Sequence, residues 1–153
     1  MHIWIDGDAC PKPIKDLLFR AATRTQTHLI IVSNHPLTIP PSPYIKRQQV
    51  GSGFDVADNA IVAAMQPGDL VITADIPLAD DVVTHGGIAL NPRGELYTTN
   101  NIKQLLARRN LNESLRGAQL VRGGPDKFTA KEIQTFANTL DTILAKKTNK
   151  DIR

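Results

Sequence analysis

Apolar positions along the chain follow two different spacings, and the switches between them mark its elements. Ile3 to Ile5, His28 to Ser33, Leu70 to Thr73 and Ile88 to Leu90 are short β-branched or aromatic runs, which read as buried strands. Between them, apolar residues recur three and four apart. Ile14, Leu17, Leu18 and Ala21 form one such stripe, predicting a helix over 12–25 with Pro11 and Pro13 tolerated at its start. Val56, Ala60, Ile61 and Ala64 form a second, predicting a helix to about Met65 with Asp55 as its N-cap. A third helix is expected over Pro77–His85, stopped by Gly86-Gly87. Tyr44 to Val50, carrying Lys46 and Arg47, reads as a charged edge strand.

Strand and helix alternating in this way predict an α/β fold, with helices on both faces of a mostly parallel sheet. After Asn91-Pro92-Arg93-Gly94 the pattern becomes helical. Helices are expected over Ile102–Arg109 and Leu111–Leu115, with a loop over Gly117–Lys127. A last helix runs from Thr129, its cap, to about Lys146, with Ile133, Phe136, Leu140 and Leu144 on one face. Residues 1–145 are thus expected to form a single domain, and the polar stretch 146–153 a disordered tail.

A chain of 153 residues suits one domain with a real core. A strand begins at residue 2 or 3 with no basic segment and long apolar run before it, so no signal peptide is expected. No apolar run approaches the ~18 residues of a membrane span. One cysteine makes no internal disulfide, so the cytoplasm is the expected location. No Cys/His spacing matches a zinc site.

The net charge of +3 hides an asymmetry. Residues 1–100 carry 7 Lys/Arg and 10 Asp/Glu, giving −3, whereas residues 101–153 carry 11 and 5, giving +6. A basic surface beside an acidic site suits a polyanion; a solvated basic helix would show the same count.

The acids themselves stand where strands end. Ile5 leads into Asp6-Gly7-Asp8-Ala9-Cys10-Pro11, and Val71-Ile72 into Thr73-Ala74-Asp75, while Asp55 and Asp58 sit at the start of a predicted helix. Ligands of open α/β sheets bind outside the carboxyl ends of the strands. Carboxylates gathered there repel one another unless a cation joins them, and Mg²⁺ or Mn²⁺ prefers such oxygen donors. Asp6 and Asp8, two apart, would face the same way if strand alternation continued. Asp58 lies within the apolar stripe and reads as the inward ligand; Asp55 and Asp75 could each be helix caps. Asp80 and Asp81 fall on the next helix, with at least one solvated. Thr73 could bond a carboxylate or substrate, and Asn91 or Glu95 could supply a further ligand. Cys10 reads as a small packed residue, and His85 as part of a helix end. Lys12, Arg108, Arg109, Arg122 and Lys127 are candidates for phosphate contact, with Gly123-Gly124 offering backbone amides.

The stretch Val71 to Ala79, continuing to Gly86-Gly87-Ile88-Ala89-Leu90, resembles the TxD strand–helix–strand segment of PIN-like nuclease domains. Together with Asp6-Gly7-Asp8-Ala9-Cys10-Pro11, Asp55-Val56-Ala57-Asp58-Asn59 and Gly123-Gly124-Pro125, it makes residues 2–145 resemble the YaiI/YqxD family of uncharacterised bacterial proteins. The resemblance implies a PIN-like three-layer α/β/α sandwich, with the PIN acids falling on Asp6, Asp58 and Asp75. The helical acid of many PIN domains is a glutamate, and here it is the shorter aspartate. The activity implied is hydrolysis of an RNA or DNA phosphodiester, single-stranded, with Mg²⁺ or Mn²⁺ held by Asp6, Asp8, Asp58 and Asp75. Lys12, Thr73, Arg122 and Lys127 would then contact the substrate. Two other readings stay open: a catalytically silent nucleic-acid-binding or regulatory module, and a haloacid-dehalogenase-type phosphotransferase with Asp6 as nucleophile, since Asp6-Gly7-Asp8 matches its DxD.

Overall fold

A computed structural model describes residues 1–51, 56–117 and 129–151. Asp55, Arg122, Lys127 and Gly123-Gly124-Pro125 lie outside the described residues, as does the side chain of Arg109. In chain order the elements are β1 (His2–Asp6), α1 (Lys12–Thr25), β2 (His28–Ser33), β3 (Ile45–Gln49), α2 (Val56–Ala64) and β4 (Leu70–Ile72). They continue as α3 (Ile76–Thr84), β5 (Ile88–Leu90), β6 (Leu96–Tyr97), α4 (Thr99–Gly117) and α5 (Ala130–Asp151).

The strands form one sheet in the order β3-β2-β1-β4-β5-β6. All neighbours run parallel except β5 and β6, which are antiparallel. Side-chain alternation divides the core in two. Ile3, Ile5, Leu29, Ile31 and Ile72 face one way and pack with Ile14 and Leu18 of α1 and Phe136 and Leu140 of α5. Trp4, Val32, Val71 and Ala89 face the other way, against Ile61 of α2, Leu78 and Val82 of α3, and Ile102 of α4. The result is the expected three-layer α/β/α sandwich with a mostly parallel sheet.

Two connections depart from the usual strand–helix–strand unit. β2 and β3 are parallel neighbours joined by residues 34–44 without a helix. Leu37 and Ile39 of that loop pack on the α1 side of the core, so the loop covers the sheet where a helix otherwise would. Leu37 also crowds Gly7: a Cβ there would lie 2.6 Å from Leu37 Cδ1 and 2.7 Å from Ile31 Cγ1. The β5–β6 turn, in turn, lies against α5. Gly94 has φ +95°, and a Cβ on it would come within 2.8 Å of the Phe136 nitrogen. Arg93 pairs with Glu132 of α5. Glu132 also completes a capping box with Thr129, whose Oγ1 accepts from the Glu132 amide at 3.1 Å. The turn after β5 is thus pinned from the helix side, and Thr129 starts that helix as expected.

Several boundaries differ from expectation. α4 is one continuous helix because Asn110 costs a helix only a few tenths of a kcal/mol, too little to break it. β6 went unpredicted, since two residues carry no readable alternation. α5 continues past Lys146 to Asp151. Ala64 is exposed, although it was expected to face inward: the chain leaves α2 there. Asp69, just before β4, is a buried structural acid. It accepts from Trp4 Nε1 at 3.1 Å, the His2 amide at 3.0 Å and the Gln66 amide at 2.9 Å. Among the described residues, no helix is long and apolar enough to cross a membrane.

Candidate functional site

The strand order reverses direction at β1: the chain goes from β1 to β2 on one side and later places β4 on the other. A crevice opens outside the carboxyl ends of two strands at such a switch point. Here it is a pocket of about 110 Å³, lined by Asp6 after β1, Thr73, Ala74 and Asp75 after β4, Asp58 on α2, and Ala9, Cys10, Ile72 and Pro92. Asp6, Asp58, Asp75 and Thr73, singled out from scattered motifs, therefore meet in one place.

Asp6 is the last residue of β1, and the chain turns immediately after it. Burial pushes its carboxyl above the usual carboxylate range. The Asp8 amide, donating to Asp6 Oδ1 at 3.1 Å, pulls the other way, while the charges of Asp8 and Asp75 add to the rise. Asp75 serves as N-cap of α3, its Oδ1 accepting from the Leu78 amide at 2.9 Å. The cap and the site readings hold together: one oxygen satisfies the helix while the residue lines the pocket. The Asp75 amide donates to Thr73 Oγ1 at 2.9 Å, which leaves the threonine hydroxyl its own proton to donate. Asp58, half-buried in the first turn of α2, sits where a helix dipole favours negative charge.

Asp8 is not brought into the pocket. Strand alternation ends with Asp6, and the turn over residues 7–9 swings the Asp8 side chain toward the loop after β2. There its Oδ2 accepts from the Asn34 amide at 2.7 Å, and its Oδ1 lies 3.2 Å from His35 Nδ1. Lys12 is exposed at the start of α1 and does not line the pocket; Arg108 is exposed on α4. Cys10 packs in the core as expected, and burial pushes its thiol up to about 12, beyond use as a nucleophile at neutral pH. His85 caps the end of α3, with Nδ1 2.6 Å from the Asp81 carbonyl oxygen. Asp81 is exposed.

Asn91 and Glu95 do not reach the pocket wall. Asn91 instead donates from Nδ2 to the Tyr97 hydroxyl at 2.8 Å and accepts the Arg93 amide at 2.8 Å. Tyr97 was missed by sequence reasoning, lying on a strand too short to show a pattern. Burial pushes its phenol up; the Asn91 bond opposes this, and the charges of Glu95 and Asp75 add to it. Among the described residues, no three of His, Cys, Asp and Glu converge closely enough to enclose a metal ion by themselves.

A family model described as the uncharacterised YaiI/YqxD family matches residues 4–146. The chain belongs to this family. Among its relatives is a UPF0178 protein of Pseudoalteromonas translucida, 57% identical over 146 residues, covering 95% of this chain and 97% of the relative. A UPF0178 protein of Maridesulfovibrio salexigens is 54% identical over 150 residues, covering 98% and 99%. One from Shewanella sp. strain ANA-3 is 56% identical over 144 residues, covering 94% and 96%. The residues that line the pocket, from Asp6 to Pro92, all fall inside the matched span. No solved structure matches the chain.

Proposed function

We propose that this pocket handles a phosphate ester as a Mg²⁺- or Mn²⁺-dependent nuclease or phosphodiesterase acting on single-stranded RNA or DNA in the cytoplasm. The observation that supports it is the meeting of Asp6, Asp58 and Asp75 around one small pocket at the switch point of the sheet. An all-carboxylate donor set fits a hard cation, and Asp6, raised by burial and then by the charges of Asp8 and Asp75, gains from one. Mg²⁺ keeps several waters and takes few carboxylates plus substrate phosphate, so three converging ligands are not required.

Asp6 and Asp75 would hold the ion. Asp58, shorter than the glutamate common in PIN-like domains, would act through a water. When bound, a divalent ion polarises a phosphoryl oxygen and acidifies a water. Thr73 fixes the Asp75 backbone and offers a hydroxyl to the substrate. The Asp8 amide holds Asp6 in place, which gives Asp8 a supporting part in the site. The basic residues after position 100, with Arg122 and Lys127 among them, would track the polyanion. The PIN-like resemblance of the TxD segment supports the same chemistry.

One observation favours a second reading, a catalytically silent nucleic-acid-binding module: no three acids among the described residues enclose an ion unaided. The phosphotransferase reading has less support, because its second acid, Asp8, turns away from the pocket. Calorimetric titration with Mn²⁺, followed by gel analysis of a short single-stranded RNA, separates the readings. Asp6→Asn and Asp75→Asn should each weaken Mn²⁺ binding ~10-fold or more, about 1.4 kcal/mol, and abolish cleavage. Asp81→Asn should change neither. Unchanged affinity in the first two rejects the site, and binding without cleavage selects the silent module.

A further inference from the structure

The opposite edge of the sheet carries a different donor set. His2 and His28 open the adjacent strands β1 and β2 and are directly paired in the parallel register. Both are exposed, and their ring centroids lie 5.6 Å apart at an interplanar angle of 34°. Tyr44 flanks His28 on the other side at 5.6 Å and 53°, so the His28 ring is held between two neighbours. His2 Nδ1 stands 4.0 Å from Asp69 Oδ1.

We infer that His2 and His28 form a two-imidazole site for a borderline transition-metal ion such as Zn²⁺. A Zn–N bond of ~2.1 Å plus roughly 1.1 Å to the ring centre puts two tetrahedrally disposed centroids ~5.2 Å apart. The observed centroid spacing of 5.6 Å is close to that. The Asp69 carboxylate, 4.0 Å from His2 Nδ1, places a negative charge beside the two rings, which favours a cation there. Water completes the shell. Imidazole nitrogen selects Zn²⁺ over Mg²⁺, so this edge and the acidic pocket discriminate between ions. The inference does not depend on the proposed function.

Zn²⁺ alone, titrated into the full chain while the imidazole Cε1–H resonances are followed by NMR, tests it. The His2 and His28 resonances should move along one saturating curve while those of His35 and His85 do not, and Mg²⁺ should move none of the four. His2→Gln or His28→Gln, both at exposed positions, should each weaken Zn²⁺ binding at the remaining ring at least tenfold. An unchanged His2 curve in His28→Gln, or four histidines shifting alike, overturns the site.

Discussion

Asp69, at the N-terminal end of β4, and Asp6, at the C-terminal end of β1, both leave bulk water, but their surroundings differ in kind. Asp69 is 3% exposed and receives three donors: an indole N–H and two amides. Asp6 receives the Asp8 amide and faces the charges of Asp8 and Asp75. A buried carboxylate with its lone pairs filled ties a fold together. One set beside other carboxylates costs stability, and that cost marks a place prepared for something else. The two ends of one sheet thus separate an acid with its partners in place from one set under burial and charge repulsion.

The largest effect is expected at Asp69. Asp69→Ala strands Trp4 Nε1 and the two amides in an apolar setting, and should destabilise the fold by ~3 kcal/mol. Trp4 is the sole tryptophan, so its fluorescence in a urea titration reads both unfolding and the loss of its partner. A loss below about 0.5 kcal/mol, the usual range for a surface substitution, would show that Asp69 is not the tie the geometry describes.

Which acid plays which part was only half legible in the chain. Asp6 and Asp75 could be read because they stand where a strand's hydrophobic run stops, and Asp58 because it lies within an apolar helical stripe; both signals are local. Asp69 stands at the same kind of place, after Pro67-Gly68, and nothing nearby distinguishes it. Its partner Trp4 lies 65 positions away, joined to it only once β1 pairs with β4. Asp8 failed in the opposite sense: extrapolating alternation one step past the strand sent its side chain to the wrong side of the turn. The sandwich itself was legible because β1, β2, β4 and β5 are short apolar runs and α1, α2 and α5 carry apolar stripes. Tyr97, and the Asn91 side chain bonded to it, owe their positions to the unreadable strand β6.

Asp75 caps α3 and, under the proposed function, also holds the ion. Asp75→Ala removes the cap on the Leu78 amide and should cost ~1 kcal/mol, together with the metal affinity. Asp75→Asn keeps a capping oxygen and should leave stability within a few tenths of a kcal/mol, yet still lose the Mn²⁺ affinity. Parallel denaturation and calorimetry on the two variants therefore divide structure from function at one residue. Equal stability losses in both would mean that the charge itself, and not the capping oxygen, holds α3.

The smallest effect has the most informative sign. The Asp6 carboxyl in the folded protein sits above its ordinary 3.8, so the folded state binds its proton more tightly than the unfolded chain does. Ionised Asp6 therefore opposes folding. The penalty is fully present above the raised value and fades as pH falls through it toward 3.8. Asp6→Asn keeps an oxygen to accept the Asp8 amide and carries no charge. At about pH 7.5 the variant should be more stable than the wild type by roughly 0.5 kcal/mol, a figure kept small because the half-exposed site is screened by solvent. The gap should close as the pH is lowered, since other titrating groups are common to both proteins and cancel. Urea midpoints measured across that range decide the matter. A variant less stable than the wild type at neutral pH would place Asp6 beside Asp69 as a structural acid, and the pocket would lose the strain that sets it apart.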